Sequence, residues 1–109
     1  TDIVAALRSH DEGLAHDAAD LISTRSPIAL AVTLASVRRA TDYTILEEAL
    51  VTEYRVSCAA VRSHDLVEGI RAQVVDKDRN PKWSPASLAA VTDEDVRAYF
   101  QPGNPDLTF

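Results

Sequence analysis

Apolar residues recur every three to four positions along most of the chain, the spacing that lines one face of an α-helix. No stretch alternates apolar and polar residues convincingly enough to predict a strand. The pattern divides the chain into four segments: lead-in helices in 1–25, two long helices in 26–62, a helix with a basic tail in 63–83, and closing helices with a tail in 84–109. It predicts an all-α fold of about five to six short helices in a single domain.

Cap residues mark where several of these helices begin. Ser26-Pro27 is a strong start signal, because serine caps a helix and proline in the first helical position lacks an N–H that would be unsatisfied anyway. Ser84-Pro85 repeats this pair and predicts a short helix to about residue 90. Thr92 precedes three acidic residues, which are favoured in the first turn of a helix, so a final helix is expected up to residue 100.

The segment 63–83 joins a short helix to a charged tail. Asp65 is placed to cap this helix, and Glu68 could reach back to the N–H of the cap residue. Gly69 lies inside the helix, where glycine costs roughly 1 kcal/mol relative to alanine. We therefore expect another backbone or a ligand to approach closely at that position. Three apolar residues form one stripe along the helix: Leu66, Ile70 and Val74.

Composition argues against several classes of protein. A net charge of −6 argues against nonspecific nucleic-acid binding, which needs a basic surface. No run of about 20 apolar residues suggests a membrane span. The single Cys58 has no partner for an internal disulfide, which fits a reducing compartment. The sequence contains no methionine, so we expect it to be a fragment of a longer protein.

Candidate catalytic and metal-binding groups are scarce. The histidines do not have the spacing of a zinc site, which needs ligands three to four residues apart on a helix and further ligands elsewhere. Cys58 has no adjacent histidine, and the serines lie mainly at helix caps, so the sequence does not show a triad with an activated nucleophile. Glu53, beside an apolar stripe, is interpreted as a partly buried acid that a neighbouring helix or arginine satisfies. We therefore predict neither a catalytic residue nor a metal ligand in this chain.

Basic residues in the tail of the 63–83 segment are the candidates for ligand binding. Lys77, Arg79 and Lys82 surround Pro81 and Trp83. In one interpretation they belong to a solvated loop whose charges alternate with those of neighbouring aspartates. In the other they contact an anion, since lysine and arginine are the groups that bind phosphates.

Four ordered blocks of sequence carry a resemblance to a known family, and the block at 64–83 consists of two parts. They are HDLVEGIRA at 64–72 with VDKDRNPKW at 75–83, SPIALAVTL at 26–34, LEEALVTEYR at 46–55 and WSPASLAAVTDEDV at 83–96. Their order and spacing resemble the C-terminal region of 3-hydroxyisobutyryl-CoA hydrolases, which belong to the crotonase (enoyl-CoA hydratase/isomerase) superfamily. The resemblance covers residues 26 to about 100.

The resemblance implies a helical C-terminal part without the spiral α/β core in which that superfamily has its catalytic groups. It aligns Lys77 with a lysine that contacts the nucleotide of coenzyme A in a neighbouring subunit, and places Gln73 where the family has an aromatic residue. Coenzyme A would then be part of the substrate rather than a permanently bound cofactor. The implied partners are the missing core and neighbouring subunits of a homo-oligomer.

Three hypotheses for function remain open. The parent protein resembles a hydrolase of a short 3-hydroxyacyl-CoA, such as 3-hydroxyisobutyryl-CoA in valine breakdown; alternatively it is an enoyl-CoA hydratase or isomerase with the same tail. The third hypothesis is a stand-alone, non-catalytic helical interaction module. Arginine greatly outnumbers lysine and alanine is common, which favours a bacterial, cytoplasmic protein. If these helices pack on a separate core, they should carry exposed apolar surface.

Overall fold

The computed structural model describes residues 2–109, and all regular structure in that range is helical. The α-helices are α1 (Asp2–Ser9), α2 (Gly13–Ser23), α3 (Pro27–Arg39), α4 (Leu46–Val61), α5 (His64–Ile70) and α6 (Asp93–Ala98). Short 3₁₀ turns occupy Ala40–Asp42 and Leu88–Ala90, and a π turn over Arg71–Val75 continues α5. The all-α prediction is confirmed. No helix in residues 2–109 combines the length and apolar character needed to cross a bilayer.

Two predicted helix starts are confirmed. The Ser26 hydroxyl accepts a hydrogen bond from the Ala29 N–H at 3.3 Å, and proline occupies the first position of α3. At α6 the Thr92 hydroxyl accepts from the Asp95 N–H at 3.1 Å, while the Asp95 carboxylate accepts from the Thr92 N–H at 3.0 Å. Each arrangement satisfies N–H groups that a helix leaves without partners at its first turn.

The predicted cap of α5 is wrong. Ser63, not Asp65, caps the helix, and its hydroxyl accepts from the Leu66 N–H at 3.3 Å. Asp65 lies one residue inside the helix and is buried, where groups from other segments bind its carboxylate. Glu68 does not reach back to the cap, because its carboxylate is bound to Arg71.

The closing segment also differs from its prediction. Ser84-Pro85 does not begin an α-helix; the peptide bond is cis, and the next helical residues form the 3₁₀ turn at Leu88–Ala90. The Ser84 N–H donates to the Asp65 carboxylate at 2.9 Å, so this segment is bound to α5. Helix α6 ends at Ala98, two residues earlier than predicted.

The apolar core is small and lies between α3 and the end of α6. Ile28 and Val32 of α3 and Phe100 are each at least 94% buried. The guanidinium of Arg39 lies 3.8 Å from the centroid of the Phe100 ring, a favourable cation–π distance. Partly buried residues complete the cluster: Ala35, Val56, Val91, Val96 and Tyr99. This cluster joins α3, α4 and α6.

Much of the remaining apolar surface is exposed. On α5 and the π turn, the predicted stripe exposes 41% of Leu66, 48% of Ile70 and 63% of Val74. Helix α4 likewise exposes Leu46, Leu50 and Val61. Extended apolar surface of this kind is typical of faces that pack against another element. The expected exposed apolar surface is therefore present.

Helix α4 also binds the irregular C-terminal segment. The Tyr54 hydroxyl donates to the carbonyl of Pro105 at 3.1 Å, and Arg55 forms an ion pair with Asp106 at 2.6 Å. The Arg55 guanidinium lowers the pKa of Asp106 to about 2, and the neighbouring Cys58 thiol raises the pKa of Tyr54. Glu53, predicted to be partly buried, is exposed, and its carboxylate accepts a hydrogen bond from the Ser36 hydroxyl of α3 at 3.4 Å.

Candidate functional site

Arg71 is the centre of a cluster of ion pairs where α5 passes into the π turn. Its guanidinium binds the Glu68 carboxylate at 2.6 Å, Asp78 at 2.7 Å and Asp76 at 2.9 Å, and it reaches the carbonyl of Asn80 at 3.4 Å. These contacts fold residues 76–80 back against α5. We call Arg71 with its three carboxylates the Arg71 cluster.

The cluster lowers the pKa values of Glu68 and Asp78. Hydrogen bonds from Arg71, and one from the Lys82 N–H, lower the pKa of Glu68 from 4.5 to about 2. Hydrogen bonds from Arg71 and from the Asn80 N–H lower the pKa of Asp78, and the surrounding carboxylates raise the pKa of Arg71. All of these groups therefore stay charged at neutral pH.

Main-chain bonds hold the loop that follows the cluster. The Asp76 N–H donates to the carbonyl of Arg71 at 2.8 Å, and the Arg79 N–H donates to the carbonyl of Ala72 at 3.0 Å. Lys77 and Arg79 have φ angles of 56° and 54°, in the left-handed region that residues other than glycine rarely adopt. Such conformations cost roughly 1–2 kcal/mol each and persist only where the surrounding contacts impose them.

The three predicted ligand-binding cations lie on this loop. Lys77, Arg79 and Lys82 are exposed, and none takes part in an ion pair among the described residues. The only side-chain partner of Arg79 in that part of the chain is the amide oxygen of Gln73, at 3.3 Å. The aspartates that alternate with these residues in sequence bind Arg71 instead. Contact of the three cations with coenzyme A stays a prediction.

Arg79 also lines a cleft of about 380 Å³ between α3 and the loop. Arg25 and Trp83 line the same cleft, together with Thr33 and Gln73. No acidic residue contributes to its wall, although the chain has 17 acidic residues. Lys77 and Lys82 lie outside it. The sequence interpretation missed Arg25, because only the fold brings residues 25 and 79 to one cleft.

Trp83 fixes the far end of the loop against α5 and α2. Its indole N–H donates to the carbonyl of Thr24 at 3.2 Å. Its ring lies 3.3 Å from the position that a Cβ atom would take at Gly69. A group does approach Gly69 closely, but the prediction of a backbone or a ligand is wrong, because the approaching group is the Trp83 side chain.

Asp65 joins three segments beneath this loop. Its carboxylate is 7% exposed and accepts hydrogen bonds from the Ser26 hydroxyl and the Ser84 N–H, and it lies 2.8 Å from Nδ1 of His64. The Ser26 hydroxyl binds the carboxylate and not the imidazole, so these side chains lack the Ser–His–Asp order in which histidine activates a serine. It connects the start of α3, the start of α5 and the chain after Trp83.

No group of three or more histidine, cysteine or acidic side chains within residues 2–109 is arranged to hold a metal ion. Exposed cations and an acid-free cleft favour the binding of phosphates or other anions.

Comparisons with known proteins agree with the fold. The family model described as enoyl-CoA hydratase/isomerase matches residues 1–100. Two curated relatives are the mitochondrial 3-hydroxyisobutyryl-CoA hydrolases of Mus musculus, 41% identical over 98% of this chain, and of Homo sapiens, 39% identical over 99% of it. In both cases the chain spans only 28% of the relative's length.

Two solved structures are similar over the whole helical arrangement. A carnitinyl-CoA dehydratase from Mycobacterium thermoresistibile is 65% identical with a TM-score of 0.90, covering 99% of this chain and 31% of that one. An enoyl-CoA hydratase from Rhodobacter sphaeroides 2.4.1 is 39% identical with a TM-score of 0.88, covering 99% and 32% respectively. The resemblance found in the sequence is confirmed, and this all-α chain belongs to the enoyl-CoA hydratase/isomerase family of the crotonase superfamily.

Proposed function

We propose that the chain is the C-terminal helical part of an acyl-CoA hydrolase that cleaves the thioester of a short 3-hydroxyacyl-CoA. The 3-hydroxyisobutyryl-CoA of valine degradation is the substrate we favour. The observation that carries the proposal is the 39–42% identity to three mammalian 3-hydroxyisobutyryl-CoA hydrolases over 98–99% of the chain. Bacterial origin, a cytoplasmic location and homo-oligomeric assembly are parts of the same proposal.

The role of the chain is to complete a larger fold. The exposed apolar faces of α4 and α5 would pack on the remaining part of the protein, and burying apolar surface is worth about 25 cal/mol per Å². The chain spans 28% of the length of this relative, and the remaining length is sufficient for a catalytic core. Catalytic residues would lie in that core, so the chain alone should not hydrolyse thioesters.

The second part of the proposal concerns the substrate's coenzyme A. Its 3′-phosphate and diphosphate would be contacted by Lys77, Arg79 and Lys82, with no cofactor bound permanently. Three observations support this: the cations are exposed, no described carboxylate pairs with them, and Arg79 lines an acid-free cleft with Arg25.

A second candidate function is water addition to, or removal from, an acyl-CoA. The 65% identity to a carnitinyl-CoA dehydratase favours it. The two reactions differ in the bond that changes. Hydrolysis breaks the carbon–sulfur bond and releases a free thiol, whereas hydration or dehydration leaves the thioester intact.

The distinguishing experiment uses the full-length protein that contains this segment. It is incubated with 3-hydroxyisobutyryl-CoA and, separately, with a short enoyl-CoA, and both free thiol and the acyl products are measured. Thiol release from the 3-hydroxyacyl substrate supports the hydrolase. Water addition or removal without thiol release contradicts it in favour of the second candidate. Absence of both reactions favours a non-catalytic interaction module.

The phosphate contacts are tested by neutralising the three cations together. The variant carrying Lys77→Gln, Arg79→Gln and Lys82→Gln should raise KM at least tenfold with little change in kcat, because it removes charge-assisted bonds worth about 1.5–3 kcal/mol each. A substrate lacking the 3′-phosphate should lose less affinity in this variant. The matched control is Arg8→Gln, an exposed arginine whose partner is Asp20 on α2. An unchanged KM would rule out these contacts.

A further inference from the structure

The geometry points to Arg71 as a positioning residue that separates the charges of the 76–82 loop, so that its cations are free to meet a phosphate-bearing ligand. This inference rests on the proposed function, in which Lys77, Arg79 and Lys82 bind the phosphates of coenzyme A. Arg71 itself would not contact the ligand.

The first step of the argument is the order of charges along the loop. The charges alternate in sign from Asp76 to Arg79. Lys77 has an aspartate on both sides, and Arg79 directly follows Asp78. If these neighbouring side chains paired with each other, their charges would partly cancel, and the positive electrostatic potential that attracts an anion would be weaker. In the structure the two aspartates instead bind Arg71, at 2.9 and 2.7 Å.

The second step is that only an arginine side chain can form all of these hydrogen bonds at once. The guanidinium has five N–H donors in a rigid plane. On Arg71 these donors serve the carboxylates of Glu68, Asp76 and Asp78 and the carbonyl of Asn80. Lysine has three donors on one nitrogen and cannot form the same bidentate contacts. Arg71 is also only 30% exposed, which limits its access to a ligand.

The third step is the backbone. Lys77 and Arg79 adopt left-handed φ angles. The segment that carries them is held by hydrogen bonds from the Asp76 and Arg79 N–H groups to the carbonyls of Arg71 and Ala72. Binding of both aspartates to one guanidinium holds the residues on either side of Lys77. Without Arg71, this strained backbone would lose a restraint that offsets its cost.

The test measures binding of adenosine 3′,5′-bisphosphate to the full-length protein at fixed ionic strength. Arg71→Gln should weaken binding about tenfold, the size expected for losing one charge-assisted bond at the cation site. Asp76→Asn with Asp78→Asn should change affinity less than about twofold in the parent background, where Arg71 already binds both acids. In the Arg71→Gln background the same pair should restore part of the lost affinity, because it removes the competing charges but not the loss of the backbone restraint.

The restoration distinguishes charge separation from a purely structural effect. If Arg71 only stabilised the fold, removing its acidic partners would not recover binding. Equal effects of the aspartate pair in both backgrounds would therefore overturn the inference, because such additivity means that Arg71 and the acids are uncoupled. Should Arg71→Gln fail to fold, Arg71→Lys replaces it, with a smaller loss and the same expected rescue.

Failure of this inference is distinguishable from failure of the proposed phosphate contacts. If the parent protein binds the bisphosphate, and Lys77→Gln or Arg79→Gln weakens binding while Arg71→Gln does not, only the role of Arg71 is overturned. If the parent does not bind it, or if neither Lys77→Gln nor Arg79→Gln weakens binding, the phosphate contacts and this inference fall together.

Discussion

The cluster around Phe100 and the Arg71 cluster hold two neighbouring parts of the chain by opposite means. The first buries Ile28, Val32 and Phe100 and involves few polar groups. The second places four charged side chains together near the surface and leaves Ile70 and Val74, on the same helical segment, exposed. The chain thus uses apolar burial to join helices and ion pairs to shape a loop.

The two regions therefore differ in the substitutions and the pH changes that they tolerate. Apolar burial depends on volume and is nearly independent of pH, whereas a cluster of ion pairs depends on geometry and on protonation. Exposed ion pairs contribute little to global stability, typically about 0–1 kcal/mol each. The Arg71 cluster therefore sets the shape of the loop more than it stabilises the protein, and the two regions should respond differently to substitution.

The largest effect is expected from Phe100→Ala. Removing a buried phenylalanine costs about 3–5 kcal/mol through lost burial and the cavity left behind, and here Arg39 also loses the ring beneath it. Urea denaturation should show a lower midpoint with a similar slope. Phe109→Ala is the matched control, because Phe109 is 76% exposed and should cost little. Similar losses in both variants would contradict the assignment of the core.

A somewhat smaller effect is expected from Asp65→Ala. The change leaves the Ser26 hydroxyl and the Ser84 N–H without their acceptor, and an unsatisfied buried donor costs about 1–3 kcal/mol. Thermal unfolding monitored by circular dichroism should show a clear decrease in Tm. Asp17→Ala, on the exposed surface of α2, serves as the control and should leave Tm nearly unchanged.

The pH dependence of stability should identify Glu68. Its pKa is lower in the folded protein than its ordinary value of 4.5, at about 2, so its ion pair stabilises the fold above pH 4.5. This contribution should be lost progressively as the pH falls from about 4.5 towards 2. Denaturation midpoints for the parent and Glu68→Gln, measured between pH 7 and pH 3, should converge as the pH falls. Parallel curves would mean that Glu68 is not bound as described.

The smallest effect, of opposite sign, is expected from Lys77→Gly. Glycine adopts left-handed φ angles without the steric penalty that lysine has, so the variant should be more stable by up to about 1 kcal/mol. Under the proposed function it should nevertheless bind coenzyme A less tightly. Lys82→Gly, at a position without a positive φ, is the control and should not gain stability. Loss of stability in Lys77→Gly would argue against strain at this position.

Helical periodicity and local caps were sufficient to predict most of the fold. The starts of α3 and α6 depend on side chains three residues from the N–H groups they bind, which a local pattern reveals. The partners of Asp65 lie 39 and 19 residues away in sequence, and no local rule identifies them. The local pattern therefore predicts a cap at Asp65 and, for the same reason, an α-helix after Ser84-Pro85, and both predictions are wrong.

The candidate site was only partly predictable. Lys77, Arg79 and Lys82 stand out in the sequence as a basic tail, and the resemblance to a family indicated their ligand. The sequence did not reveal that Arg71 binds the intervening acids, because alternating charges suggest local pairing. Arg25 could be found only once the cleft with Arg79 was known. The residues of the predicted apolar stripe, Leu66, Ile70 and Val74, are exposed, but periodicity does not indicate what covers them.

The hydrogen bond from the Tyr54 hydroxyl to the Pro105 carbonyl lies close to a residue that can carry a fluorescent label. Cys58, the single cysteine of the 109 residues, lies one helical turn from Tyr54 and interacts with its hydroxyl. An environment-sensitive fluorophore attached to that thiol would sit beside the point where the final segment meets α4. Its emission would then report whether this segment is in contact with α4.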